Sequence, residues 1–262
     1  MKPNKFRELL KADKPTLATH LHSTWPGMVE AVGYTGMFDY IEFVCEYAPF
    51  DLYALDNICR ACELFGMSAM IKVDQSLNTF LAQRGIGAGF QSVLFADSRT
   101  AEDVRLCVRA CRPETPEGKG RNGVATRRMA YMGYGDSPAY VQALQDIVVG
   151  IMIEKKGAVE ALDEILEVPG IDMIQWGPGD YSMSIGRPGQ GKAPDIKAIE
   201  TRVIQASMKK GIPPRAEIAT PDQAKYYLDM GIRHFCMGTD LLTLHQWMKE
   251  NGEQMRKALE GK

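Results

Sequence analysis

Eight short apolar runs, each followed by a helix-like segment, predict a closed parallel (β/α)8 TIM barrel. Two further observations agree. The runs are apolar on both faces, as strands buried between a lumen and an outer ring of helices must be. The 262 residues suit one such barrel, and no stretch rich in Pro, Gly or Ser divides the chain, so 1–262 reads as a single domain. The rival fold, an open doubly wound sheet, wants a Gly-rich phosphate fingerprint after its first strand, and none follows.

Residues 1–14 read as an N-terminal helix ahead of the barrel. The predicted strands are 16–23, 40–46, 68–74, 92–97, 147–154, 171–177, 215–219 and 234–240. The predicted helices cover 27–35, 53–65, 78–85, 101–111, 158–167, 195–210, 221–230 and 241–259. Start and stop signals support several of them. Thr100 precedes a run that ends at Arg112-Pro113, and Thr220-Pro221-Asp222 opens a helix that Met230-Gly231 closes. Residues 112–146 form a long connection, and a connection of that length is usually functional or interfacial. Part of it, 129–140, is rich in aromatic residues and Met.

Composition narrows the function classes. Net charge is −2 with both signs interspersed, which offers neither a nucleic-acid nor a membrane-surface patch. The N-terminus has no apolar signal core, and the longest apolar run, IVVGIMI, is too short to span a bilayer. Six cysteines show no paired framework and no second ligand pair for zinc, so they read as reduced thiols of a cytoplasmic protein.

Barrel chemistry sits at the C-terminal ends of the strands. There the sequence places His20 and His22, Glu46-Tyr47, Lys72 and Asp74, Glu154, Asp180, Glu217 and Asp240. Glu154 and Asp180 close consecutive strands, and two converging carboxylates repel unless one is protonated or a cation lies between them. Oxygen ligands with open positions suit Mg²⁺ or Mn²⁺, with Co²⁺ or Zn²⁺ as further candidates. The alternative is that each acid pairs with a lysine, and Lys155 and Lys156 adjoin. Lys72 reads as an anchor for a substrate carboxylate, a Schiff-base nucleophile or an ion-pair partner. His20 and His22 read as a base and its neighbour, or as core histidines. Gly177-Pro178-Gly179-Asp180 reads as a tight turn, in which Gly179 lets main-chain N–H groups approach a ligand oxygen.

From about residue 15 to 242 the chain resembles the HpcH/HpaI family of metal-dependent class II pyruvate aldolases. The resemblance rests on Pro26-x-x-x-Glu30, Gly36-x-Phe38-Asp39-Tyr40, Glu46-x-Ala48-Pro49, IEKKGAVEALDEILEVPGID (153–172) and GPGDYSMSIGRPG (177–189). It implies a (β/α) barrel whose last helix is exchanged between subunits, assembled as a trimer or hexamer. It implies cleavage of a 4-hydroxy-2-oxo acid to pyruvate, or a related 2-oxo acid, and an aldehyde. It also implies a divalent metal on Glu154 and Asp180. The chain departs from the family on the acid/base side. Tyr47 stands where the family has its histidine base, Val44 replaces an aspartate, and Lys72 replaces an arginine. His20 or His22 is therefore the expected replacement base, with Tyr47 as a proton or hydrogen-bond donor. Decarboxylation of an oxaloacetate-like acid, and metal and 2-oxo-acid binding without turnover, are the alternative functions.

Overall fold

In the computed structural model, which describes residues 2–74, 78–124 and 133–261, the chain forms the expected barrel. Helix α1 (Lys5–Lys11) leads into β1 (Thr16–Leu21), α2 (Pro26–Tyr34), β2 (Tyr40–Val44), α3 (Leu52–Leu64), β3 (Ser68–Val73), α4 (Asn78–Ala88), β4 (Ser92–Phe95) and α5 (Ala101–Cys111). Then come α6 (Pro138–Gln145), β5 (Val148–Ile153), α7 (Lys156–Glu160), α8 (Leu162–Leu166), β6 (Met173–Trp176) and α9 (Pro178–Ser184). The chain ends with α10 (Pro194–Lys209), β7 (Pro214–Ile218), α11 (Ala224–Asp229), β8 (His234–Thr239) and α12 (Asp240–Leu259). The strands close in chain order, and every neighbouring pair is parallel.

Strand alternation sorts the side chains into two layers. Ile41, Phe43, Ile71, Phe95 and Ile151 point outward and pack beneath the helices. Tyr40, Met70, Leu94, Val148 and Met173 fill the lumen. From below, α1 inserts Phe6, whose ring stacks on Tyr40 at 4.1 Å between centroids. Asn4 caps α1 and donates to the carbonyls of Gln91 and Asp146, while both terminal nitrogens of Arg7 reach Asp172 at 2.6 and 2.7 Å. The floor is thus tied to the barrel by polar groups as well as by burial.

The local signals act as the sequence suggests. Thr100 and Asp103 form a reciprocal capping box on α5, and the side chain of Asp51 caps α3. Among the described residues, two helices are additional to the predicted set. Ser137 caps α6 inside the long connection, and Pro138 starts it; residues 125–132, including 129–132 of the aromatic segment, lie outside the described residues. Tyr140 is buried and donates to the carbonyl of Gly123, so it fills the protein rather than facing a substrate. The GPGD segment is a helix start rather than a free turn. Pro178, with φ preset by its ring, occupies the first position of α9, and Asp180 lies in its first turn.

Between β1 and β8 the register shifts: Ala18 pairs with Cys236, but His20 pairs with Thr239. The extra residue on β8 is accommodated at Gly238, whose φ of +73° suits a residue without Cβ. The irregularity lies at the barrel mouth, next to His20.

Candidate active site

A cavity of about 910 Å³ opens at the C-terminal ends of the strands, with Lys72, Glu154, Gly179, Asp180, Arg215 and Glu217 among its walls. It passes the edge of β7 and reaches Glu200 and Ile204 of α10. The short pairing of β6 with β7, at Ile174–Pro214 and Gln175–Arg215 only, leaves that edge open above.

Glu154 follows β5 and is 3% exposed. Its Oε1 accepts the main-chain N–H of Asp97 at 2.8 Å. Its Oε2 lies against Gly177, where an added Cβ would stand 2.6 Å from that oxygen. Burial lifts the Glu154 pKa to about 7, against the pull of the Asp97 N–H and Lys72, and the neighbouring Asp180 charge adds to the lift. A carboxylate so placed is stabilised by a cation. Asp180, on the first turn of α9, stands beside it.

The lysine alternative is also present. Lys155 Nζ lies 2.5 Å from Asp180 Oδ1 and 2.6 Å from Asp97 Oδ1. Glu154 Oε2 and Asp180 Oδ2 carry no hydrogen bond or ion pair among the described residues. The donor set therefore fits a hard divalent ion, with two carboxylate oxygens from consecutive strand ends and room for water and substrate oxygens.

Lys72 is 9% exposed, and its ammonium lies 2.7 Å from Glu46. Burial opposes the charge, but Glu46 outweighs it and raises the Lys72 pKa. Lys72 is thus a fixed positive charge on the cavity wall, not a free amine ready for a Schiff base. The Tyr47 ring sits 5.2 Å from Lys72 Nζ. Burial of the phenol, with Glu46 and Asp180 nearby, pushes its pKa above the ordinary value despite Lys72. At neutral pH it is a hydrogen-bond donor and not a base.

The two histidines part company. The main-chain N–H of His22 is held by the Asp240 carboxylate at 3.0 Å, and His22 is not among the residues that line the cavity. His20 points into the lumen. Its Nε2 lies 3.0 Å from Glu42 Oε1, and its Nδ1 lies 3.4 Å from Glu217 Oε1. Burial would strip its proton, but Glu42 and Cys236 more than compensate and raise its pKa. With both ring nitrogens facing carboxylates, His20 is an imidazolium rather than the expected base.

Behind His20 lies a network that the sequence reading missed. Glu42 and Arg215 form an ion pair with both side chains fully buried. Arg215 Nε donates to Tyr40 Oη at 2.9 Å, its Nη1 donates to Gln175 Oε1, and Gln175 Nε2 donates to Glu217 Oε2 at 3.2 Å. Burial alone would protonate Glu42, yet Arg215 and His20 hold its carboxyl well below the usual range. The signal was available in Tyr40-x-Glu42 and Arg215-x-Glu217: charges at lumen-facing positions of two strands must find each other. A buried His20–Glu42–Cys236 group has ligand atoms within 4.8 Å of one another, but the Arg215 cation on Glu42 disfavours a metal ion there.

The model of the HpcH/HpaI aldolase/citrate lyase family matches residues 18–245. The chain is 28% identical over 256 residues to a 2-dehydro-3,6-dideoxy-6-sulfogluconate aldolase of Pseudomonas putida, covering 97% of this chain and 96% of the relative. It is 25% identical over 257 residues to a hydroxypyruvate/pyruvate aldolase of Paraburkholderia phytofirmans, covering 97% and 98% of the two chains. Among solved structures, an HpcH/HpaI aldolase from Desulfitobacterium hafniense superposes with a TM-score of 0.87 at 22% identity, over 97% of this chain and 98% of that one.

Proposed function

The chain belongs to the HpcH/HpaI aldolase/citrate lyase family, a carbon–carbon lyase of the aldolase type, and from that premise we propose a divalent-metal-dependent cleavage of a 4-hydroxy-2-oxo acid to pyruvate, or a related 2-oxo acid, and an aldehyde. The observation that carries the reading is the convergence of Glu154 and Asp180, from consecutive strand ends, in one cavity with the Lys72 ammonium. Glu154 and Asp180 would hold the ion, Mg²⁺ or Mn²⁺ by donor type. When bound, it supplies Lewis-acid charge opposite the oxygen that becomes negative as the carbon–carbon bond breaks.

The remaining work falls to the protein. Lys72 attracts the substrate carboxylate as a point charge and without the bidentate grip of an arginine. Gly179, in the first turn of α9, lines the same cavity, where a main-chain N–H left free at a helix start would meet a ligand oxygen. Tyr47, whose ring lies 5.2 Å from Lys72 Nζ, would serve as a hydrogen-bond donor beside it. Helix α12 supports assembly with further copies of the chain. It runs for 20 residues, and Leu241, Leu242, Trp247 and Met248 along it are each more than half exposed.

Exchange of the pyruvate methyl protons in D₂O, followed by NMR, tests the reading. Added Mn²⁺ or Mg²⁺ is expected to support exchange and EDTA to stop it; exchange indifferent to both would sink the metal assignment. A separate result is expected of Gly177→Ala. The Gly177 φ of −118° admits alanine, so its effect comes from crowding, chiefly the 2.6 Å approach to Glu154, with the flexible end of Met152 at 3.2 Å. Calorimetry with Mn²⁺ should show affinity weakened about 10- to 100-fold, the range typical of disturbed ligand support.

A further inference from the structure

We propose that Glu217 is the acid/base residue of this site, on the opposite side of the lumen from Tyr47. The inference rests on the aldolase reading above and goes beyond it.

The β2 side offers no base. Tyr47 keeps its proton, Val44 is apolar, and Glu46 is engaged by Lys72. The β1–β7 side holds a chain of alternating charge: Arg215, Glu42, His20 and Glu217. Arg215 and Glu217 both line the cavity that Glu154, Asp180 and Lys72 share, but Arg215, Glu42 and His20 are buried, while the Glu217 side chain is 49% exposed. A barrel lumen is ordinarily packed with apolar side chains. Ions placed there are held because each has a partner, and the chain ends on a group that substrate can reach. Glu217 is also oriented. Gln175 donates to one oxygen, and His20 faces the other. His20 and Gln175 are positioning residues in this scheme: the His20 ring holds one Glu217 oxygen from below, and Gln175 fixes the plane of its carboxylate. The arrangement replaces a histidine base with a carboxylate base backed by a histidine.

In cleavage, the Glu217 carboxylate takes the proton of the C4 hydroxyl. The C4–O pair becomes the aldehyde carbonyl, the C3–C4 bond breaks, and its electrons form the C2–C3 double bond of an enolate. Glu217 then returns the proton to C3, which completes the 2-oxo acid. No further reactant is needed. The same carboxylate abstracts a C3 proton of pyruvate in the exchange reaction.

The test measures Mn²⁺-dependent deuterium exchange of pyruvate, Mn²⁺ affinity by calorimetry and thermal unfolding, for wild type, Glu217→Gln and Glu217→Asp. The proposal expects Glu217→Gln to lose about 10²- to 10⁴-fold in exchange, the usual contribution of a positioned base. Metal affinity and melting should stay at wild-type values, and Glu217→Asp should recover part of the rate. Exchange in Glu217→Gln within about threefold of wild type, far short of that range, overturns it. So does loss of Mn²⁺ binding in that variant, which would make Glu217 a metal-site residue. If wild type itself shows no exchange with any metal, the aldolase reading fails and this inference falls with it.

Discussion

Arg215→Met is expected to produce the largest loss of stability of any single replacement in the lumen. Arg215 and Glu42 are both fully buried, and each is the other's counter-ion. Removing the guanidinium leaves a carboxylate with the distant Lys72 and the already shared His20 as its remaining cationic neighbours. Breaking one side of a buried pair typically costs about 3–5 kcal/mol. In a chain of this size that lowers the melting temperature by roughly 10 °C. The double variant Arg215→Met/Glu42→Leu should recover most of the loss, because an apolar pair in place of a buried ion pair is often neutral or better. Thermal unfolding of the two singles and the double settles it. A single-variant shift of only a degree or two would mean that water reaches Glu42.

Glu154→Gln is expected to have the largest effect on chemistry. The amide keeps the volume and can still accept from the Asp97 N–H, so the fold should be preserved. What disappears is half of the anionic pair at the cavity. Lewis-acid stabilisation is worth several kcal/mol, so metal-dependent pyruvate exchange should fall about 10³-fold or more. Mn²⁺ affinity should fall with it. Asp180→Asn should do the same to metal binding, and it also frees Lys155, whose ammonium lies between Asp97 and Asp180. If Glu154→Gln binds Mn²⁺ as tightly as wild type, the ion sits elsewhere.

The barrel was legible because its strands are short, apolar and regularly spaced, and because their order in the chain is their order in the sheet. Glu154 and Asp180 were legible for a related reason. Glu154 directly follows β5, Asp180 comes shortly after β6 in the first turn of α9, and the two strands are neighbours in chain order. The short helix α9 was not, since Pro and Gly flank Asp180 and suggest a turn, although Pro at a first helical position is equally a helix start. The network of Arg215, Glu42 and His20 was obscured differently. Its members come from β7, β2 and β1, and closure of the barrel, not proximity in sequence, joins them. Both histidines appeared equivalent in sequence because they are two residues apart. The structure separates them by what each meets: Glu42 and Glu217 for one, and the Asp240 carboxylate at the main chain for the other.

Phe6 gives α1 a part in the electrostatics of a site it never touches. Its ring covers Tyr40, and Tyr40 Oη accepts from Arg215. The floor therefore works as an electrical insulator. With it in place, the charges above act on one another in a medium of low polarisability, where their mutual attraction is several times stronger than in water. A leak from below, through Phe6→Ala for example, would let water screen Arg215 from Glu42, and the orientation that the chain imposes on its outermost carboxylate would slacken. In this barrel the first helix sets how far charge is felt at the opposite end.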